Sequence, residues 1–369
     1  MQSITIMSWN MRTFGIPAYG PDQLRIIKDT IVNCEVDLLC IQEVSIGRQQ
    51  GEDKRRIGSP INIDIYAQLI VLVNTLIRDS GNPHWNFIVS GRNKGRNQNG
   101  QRMADAYAFL YKGDKLSPTI SPPKIIVNKT VTNVNTQIAG GKNISIRKPG
   151  YTRFEIINAT PSTYLNVVSW HSRYPSNNKE INGLKGDIAK LAKLTQVDVT
   201  ESQEAVGVSS LDGNEAESYQ PPTKKQVIST EIPKENTIVL GDFNLKLTPE
   251  NYSGLIGQES NYVICIGSFD EPIGTTYTRK PEDFPPPAKA KVTDSSYDNI
   301  FLLVKGQRDV QLVNDPGHSG AYDFIQYAIS REPATSSDIY YKYYKGSNYA
   351  GDGISDHLPV YQRFEIQGT

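Results

Sequence analysis

Cysteine is scarce in this chain of 369 residues: there are three, Cys34, Cys40 and Cys265. An odd number with no Cys-x-x-Cys pair argues against a disulfide framework or a thiolate zinc site. Cys34 and Cys40 sit in apolar surroundings and read as small core residues. No run of about 18 apolar residues occurs, so no transmembrane helix is expected. The first residues run straight into Ile4-Thr5-Ile6-Met7-Ser8-Trp9, without a charged head, long apolar run and small-residue cleavage site. No signal peptide is therefore expected, and both a cytoplasmic and a secreted location stay open. Net charge is also missing: Lys+Arg and Asp+Glu number 39 each. A global basic field of the kind many nucleic-acid binders carry is absent, so any such footprint must be local. Hydrophobic content of 38% and a mean hydropathy of −0.44 imply long polar loops.

What the sequence does have is a buried-strand signal ending in chemistry. Ile238-Val239-Leu240-Gly241-Asp242-Phe243-Asn244 opens with an apolar β-branched run, the mark of a strand buried on both faces. Gly241 lets the backbone bend where a side chain would be in the way. Asp242 and Asn244 are two apart, so extended chain sends both to one side and Phe243 to the other.

Similar runs recur along the chain. Strands are expected at 4–10, 36–41, 85–90, 107–111, 152–157, 164–170, 262–266, 297–304 and 357–364. Helical spacing predicts helices over 22–33, 63–80 with Gly81 as its stop, and 179–197. Thr248-Pro249 is a cap followed by a first-turn proline, which starts a short helix. Residues 199–235 are polar, aperiodic and hold Pro-Pro, so they read as an insertion outside the sheets. Tyr340–Tyr349 reads as an exposed, tyrosine-rich stretch. Strands and helices alternate with no linker between two cores. A single α/β domain over 1–369 follows, carrying loop insertions, and a monomer is expected.

Asn10, Glu43, His171, Asp242, Asn244, Asp298, Asp356 and His357 share one property: each lies at or beside the end of an apolar strand run. Singly these are ordinary turn residues. Strand ends of one sheet lie side by side, so together they point to one cleft. Glu43, Asp242 and Asp356 are hard oxygen donors, suited to Mg²⁺, Mn²⁺ or Ca²⁺ rather than zinc. Asn10 and Asn244 offer amides for metal-bound water or a phosphate oxygen. His171 and His357 are two of only four histidines, and an imidazole fixed by a carboxylate moves protons near neutral pH. Acids, amides, imidazoles and a hard cation, without an evident Ser or Cys nucleophile, point to water attacking a phosphorus ester.

In order along the chain stand Trp9-Asn10-Met11-Arg12-Thr13-Phe14-Gly15, Gln42-Glu43-Val44, Trp170-His171, Gly241-Asp242-Phe243-Asn244, Tyr297-Asp298-Asn299-Ile300 and Ser355-Asp356-His357-Leu358-Pro359-Val360. This ordered set resembles the endonuclease/exonuclease/phosphatase superfamily, and within it the deoxyribonuclease I-like nucleases. The resemblance implies an α/β/β/α sandwich: two packed mixed β-sheets flanked by helices. It implies that Glu43 binds the catalytic Mg²⁺ or Mn²⁺, with Asn10 and Asp356 close by and Ca²⁺ as an auxiliary ion. It assigns Asp242 to the attacking water or a second metal, and Asn244 to the scissile phosphate. His357 pairs with Asp298, and His171 is the second imidazole. Asp105 stands where the family has a glutamate partner for that imidazole. Arg147 and Thr293 match phosphate-contacting positions.

Two departures stand out. Ser45 replaces a DNA-contacting arginine, and the basic stretches with Arg48, Arg55 and Arg56 and with Arg92 and Arg96 are the local cations left to grip DNA. The family's disulfide cysteines are missing. The activity implied is metal-dependent hydrolysis of DNA phosphodiester bonds with little sequence preference. The same fold also serves phosphatases and phospholipases acting on phosphoinositides, sphingomyelin or other small phosphate esters. An inactive binding module is disfavoured by the nearly intact set.

Overall fold

The alternation of side chains along each strand builds the architecture. In strand Gln2–Phe14, Met7 and Trp9 face one way and Ile4 and Ile6 the other; in strand Leu38–Ser45, Leu39 and Ile41 face one way and Leu38 and Cys40 the other. Both faces are apolar, so both must be covered. The computed structural model describes residues 2–14, 19–45, 63–90, 95–96, 102–103, 105–125, 136–138, 142–144, 147–191, 196–200, 227–231, 236–256, 262–277, 295–303, 310–331, 342–344 and 353–368.

Among these, six strands form a first mixed sheet in the order Val310–Ala321, Val360–Gly368, Gln2–Phe14, Leu38–Ser45, Asp105–Lys112, Trp85–Val89. The second sheet runs Tyr262–Ile264, Asp298–Leu303, Thr237–Asp242, Thr163–His171, Gly150–Ile156, Leu116–Pro118, with the short Lys124–Ile125 also paired to Gly150–Ile156. Ile6, Leu38, Cys40 and Phe109 of the first sheet meet Phe154, Leu165, Val167, Ile238, Leu240 and Ile300 of the second in one dry layer. Helices Pro21–Asn33, Ile63–Ser80 and Phe324–Arg331 cover the outside of the first sheet through Ile27, Leu72 and Phe324. Helices Asn178–Leu191 and Pro249–Ile256 cover the second through Leu184, Ile188, Tyr252 and Leu255. The expected α/β/β/α sandwich of two packed mixed sheets is therefore the architecture observed. No helix among the described residues is long and apolar enough to cross a membrane.

Local signals explain most boundaries. Gly81 takes φ 69° directly after Ile63–Ser80, a left-handed position that favours glycine. Thr248 Oγ1 accepts from Asn251 N at 3.3 Å, and Pro249 is the first residue of its helix, as expected. Several expectations need correction. The helix expected over 179–197 stops at Leu191, and Gln196–Thr200 pairs with Val227–Glu231 as a separate two-stranded sheet. The insertion thus contributes backbone pairing at its flanks; residues 201–226 and 232–235 lie outside the described residues. Tyr343 and Tyr344, expected to be exposed, are buried among Trp9, Tyr277 and Ile354. Strand Val310–Ala321 and helix Phe324–Arg331 carry no counterpart in the sequence reading. Cys34, Cys40 and Cys265 are buried free thiols.

Candidate active site

Register places the polar residues in a row. In the second sheet His171 pairs with Asp242, and Asp242 with Asp298, so three neighbouring strands deliver an imidazole and two carboxylates at one level. Gly241 makes this packing possible: its φ is 137°, and a Cβ there would lie 1.9 Å from the Trp170 carbonyl oxygen. In the first sheet Asn10 pairs with Gln42. Just beyond, the register of Leu38–Ser45 shifts against both its neighbours, and Glu43 adopts φ 56°. A bulge of this kind re-aims a side chain, and here it turns Glu43 into the gap between the sheets. Asp356 and His357 arrive on the segment before Val360–Gly368, where His357 bridges Thr276. Ser355 Oγ donates to the Asn10 carbonyl at 2.5 Å, and Trp9 Nε1 to the His357 carbonyl at 3.0 Å.

Asp242 is the centre. Asn10 Nδ2 donates to its Oδ2 at 3.0 Å; His171 Nε2 stands at 3.5 Å and His357 Nε2 at 3.7 Å from the same oxygen. Its Oδ1 accepts from the Asn244 backbone N at 2.9 Å. Glu43 Oε1 lies 3.4 Å from both Asn10 Nδ2 and His171 Nε2, and 3.9 Å from Arg147 Nη1. The Arg147 guanidinium rests against the His171 ring. His357 Nδ1 is 2.8 Å from Asp298 Oδ2, and Thr275 Oγ1 donates to that same oxygen at 2.8 Å. Arg12 forms an ion pair with Asp356 Oδ2.

The two imidazoles are driven in opposite directions. Burial opposes charge on His357, but Asp298 and Asp242 overcome it and raise its pKa to about 10, so it is a cation at neutral pH. Burial and the Arg147 guanidinium push His171 well below its usual range, so it is neutral. Burial also raises Asp242, with Asp298 adding to the effect, and it raises Asp356. Glu43 goes the other way: burial is outweighed by its neighbours His171, Arg147, Arg12 and His357. With His171 neutral, Arg147, Arg12 and the His357 imidazolium are the cations that keep Glu43 ionised.

Two buried carboxylate oxygens, Asp298 Oδ1 and Asp356 Oδ1, have no hydrogen-bond partner among the described residues. A buried acceptor without a donor is costly, and a hard cation is the partner such oxygens suit. Asp242, Asp298 and His357 also offer atoms within 4.8 Å of one another. There, however, His357 is an imidazolium held by Asp298 Oδ2, and a protonated imidazole does not serve as a metal ligand. Glu43 and Asp356, with Asn10 and Asp242 beside them, are the other hard oxygen donors at the cleft.

The structure thus brings Asn10, Glu43, Arg147, His171, Asp242, Asn244, Asp298, Asp356 and His357 together. Asn244 is held by its amide, which donates to the Ser172 carbonyl at 2.8 Å. Asp105 pairs with Ser45 through its backbone at the strand end that carries Glu43, but its side chain lies outside the described residues. So do Thr293, Arg48, Arg55, Arg56 and Arg92 entirely, and the side chain of Arg96, whose backbone pairs with Arg102. Sequence reasoning missed Arg12 and Thr275. Arg12 stands inside the quoted Trp9–Gly15 stretch and takes φ 38°, an uncommon conformation for a non-glycine residue. Thr275 has no motif around it.

No protein-family model and no curated protein matches the sequence. Solved structures do match along the whole chain. An endonuclease/exonuclease/phosphatase family protein from Bacteroides thetaiotaomicron is 13% identical, covering 100% of this chain and 99% of its own, with a TM-score of 0.49. The mannosyl-6-phosphatase Bt3783 of the same organism is 14% identical, covering 99% of each chain, with a TM-score of 0.48. The human Nocturnin catalytic domain is 14% identical over 99% of this chain and 95% of its own, with a TM-score of 0.47.

Proposed function

We propose that the protein is a divalent-metal-dependent phosphodiesterase that hydrolyses the DNA backbone with little sequence preference. What supports this reading is the convergence at one cleft of a protonated His357–Asp298 couple, a neutral His171 and buried carboxylate oxygens lacking a hydrogen-bond donor among the described residues. Glu43 and Asp356 would hold the cation, with Asn10 and Asp242 beside them. When bound, the cation supplies Lewis-acid polarisation of a phosphoryl oxygen and a lowered water pKa. Asp242, fixed by Asn10 and the Asn244 backbone, orients the attacking water. The His357 imidazolium faces the charge that builds on the phosphate, and Asp298 holds its ring and its proton. Arg147, resting on His171, is the remaining cation placed for a phosphate oxygen.

The choice of a polymeric substrate rests on where the basic stretches attach. Ser45 and Asp105 are paired at the cleft edge. The stretch with Arg48, Arg55 and Arg56 follows the first directly, and the stretch with Arg92 and Arg96 leads into the second. Backbone phosphates are what such cations bind, without regard to sequence. Incubation with supercoiled plasmid, RNA, phosphoinositides and sphingomyelin, each with Mg²⁺, Mn²⁺ or EDTA, tests this. Metal-dependent nicking is expected. Hydrolysis of a lipid phosphoester without nicking would transfer the same chemistry to another substrate, and no hydrolysis of any of them would end the enzymatic reading.

A further inference from the structure

Four large apolar or aromatic side chains are exposed among the described residues: Val32, Ile70, Val71 and Tyr174. The first three lie on helices of the outer layer. Tyr174 is different. It is 59% exposed and stands three residues beyond His171, at the rim of the cleft. Its chain is tied to the site: Ser172 N donates to the Asp242 carbonyl at 2.8 Å, and the Ser172 carbonyl accepts from Asn244 Nδ2 at 2.8 Å. On the other side, Glu180 Oε2 accepts from Ser176 N and Oγ at 2.8 Å each, while Asn177 Oδ1 accepts from Glu180 N at 3.0 Å. The Tyr174 ring leans edge-to-face on Tyr297, centroids 6.1 Å apart and planes at 72°. Tyr297 immediately precedes Asp298, and its carbonyl accepts from Phe243 N at 2.9 Å. A ring held at both ends of its loop and braced by a second ring loses little freedom when something stacks on it.

Building on the phosphodiesterase reading above, we infer that Tyr174, braced by Tyr297, is a stacking platform for a nucleobase next to the scissile phosphate. The substrate it fits is a strand whose base is free of its duplex stack. A small phosphomonoester has no group to place there. Base–aromatic stacking tolerates any base because each has a π face, which agrees with weak sequence preference.

The test compares two oligodeoxynucleotides of equal length, one single-stranded with all its bases and one carrying tetrahydrofuran abasic units around the cleavage position. KM and kcat are measured with Mg²⁺, and binding by fluorescence anisotropy in EDTA, for wild type, Tyr174→Ala and Tyr174→Phe. Wild type is expected to favour the base-bearing strand by roughly 5- to 150-fold in KM and affinity, the range that stacking of one base supplies. Tyr174→Ala should lose that preference with kcat retained, and Tyr174→Phe should keep it. Equal preference in wild type and Tyr174→Ala overturns the platform. Cleavage failing while anisotropy still separates the two strands removes the hydrolytic reading and leaves the platform standing. Binding neither strand overturns the platform.

Discussion

The first sheet carries buried carboxylates at both ends of its strands, and they are treated in opposite ways. Asp37, before strand Leu38–Ser45, has both oxygens occupied: Lys112 Nζ at 2.9 Å, Lys115 Nζ at 2.8 Å and the Thr5 backbone N at 3.0 Å. At the other end, Asp356 Oδ1 has no hydrogen-bond donor among the described residues, and across the gap neither does Asp298 Oδ1. Asp37 knits two strands and a turn, whereas Asp356 and Asp298 leave binding capacity in reserve. A buried acid that is fully hydrogen-bonded serves the fold; one that is half satisfied stands ready for something absent from the chain itself.

Four tests sharpen this contrast. The largest effect is expected in the His–Asp couple. His357→Ala and Asp298→Asn should each lower turnover by roughly 10²–10⁴-fold, the size of a lost acid–base group, and raising Mg²⁺ should not restore it. Melting temperature and nicking measured on the same samples decide whether chemistry or folding is lost. Parallel loss of both would place the couple with Asp37 as a structural tie.

Asp37→Ala should do the reverse. It strands two ammonium groups and the Thr5 amide, at a cost of about 3 kcal/mol, the low end for breaking a buried ion pair because the lysines reach water. Turnover per folded molecule should stay at the wild-type level; urea unfolding alongside specific activity reads both. A smaller effect on stability is expected for Asp356→Asn, within about 1 kcal/mol of wild type in EDTA, since it weakens the Arg12 ion pair but also removes a charge whose Oδ1 lacks a donor. Its signature is a raised Mg²⁺ or Mn²⁺ requirement and a loss of the melting-temperature increase those ions give wild type. A variant that melts far below wild type would erase the distinction.

The mildest probe is pH. His357 has a folded pKa of about 10, above its unfolded value of about 6.5. A raised histidine contributes stability that is complete below the unfolded value and lost as pH rises through the folded one. In EDTA, wild type should therefore lose stability from pH 6.5 towards pH 10 more steeply than His357→Gln. Superimposable slopes would mean that the imidazolium adds nothing to the metal-free fold.

The sequence made the site more legible than the scaffold around it. Asn10, Glu43, His171, Asp242, Asp298, Asp356 and His357 all announced themselves by ending apolar runs, because a strand buried on both faces tolerates polar groups only at its ends. Arg12 was hidden by its type: an arginine just past the strand expected over 4–10 is unremarked until its partner Asp356, more than 300 residues away, is in view. Strand Val310–Ala321 was hidden by irregularity. It is an edge strand containing Pro316, Gly317 and Gly320, and its register shifts between Asp315 and Ser319, so it shows neither alternation nor an unbroken apolar run. Helix Phe324–Arg331 is only two turns long and buries just Phe324, Ile325 and Ala328, too little to declare a helical period. The tyrosines at 343 and 344 looked polar because tyrosine carries a hydroxyl, and the apolar ring decided their fate instead.

Strand Val360–Gly368 lies inside the first sheet, between Gln2–Phe14 and Val310–Ala321. In chain order every other described element lies between Gln2–Phe14 and its partner Val360–Gly368. Closure over so long a stretch of chain is slow. Until it happens, strand Gln2–Phe14 keeps an open edge on that side, and neither Asp356 nor His357 is in place. A variant cut before Ser355 would hold Glu43, His171 and Asp242 but lack the imidazolium, so under the proposed function hydrolysis depends on completion of the sheet.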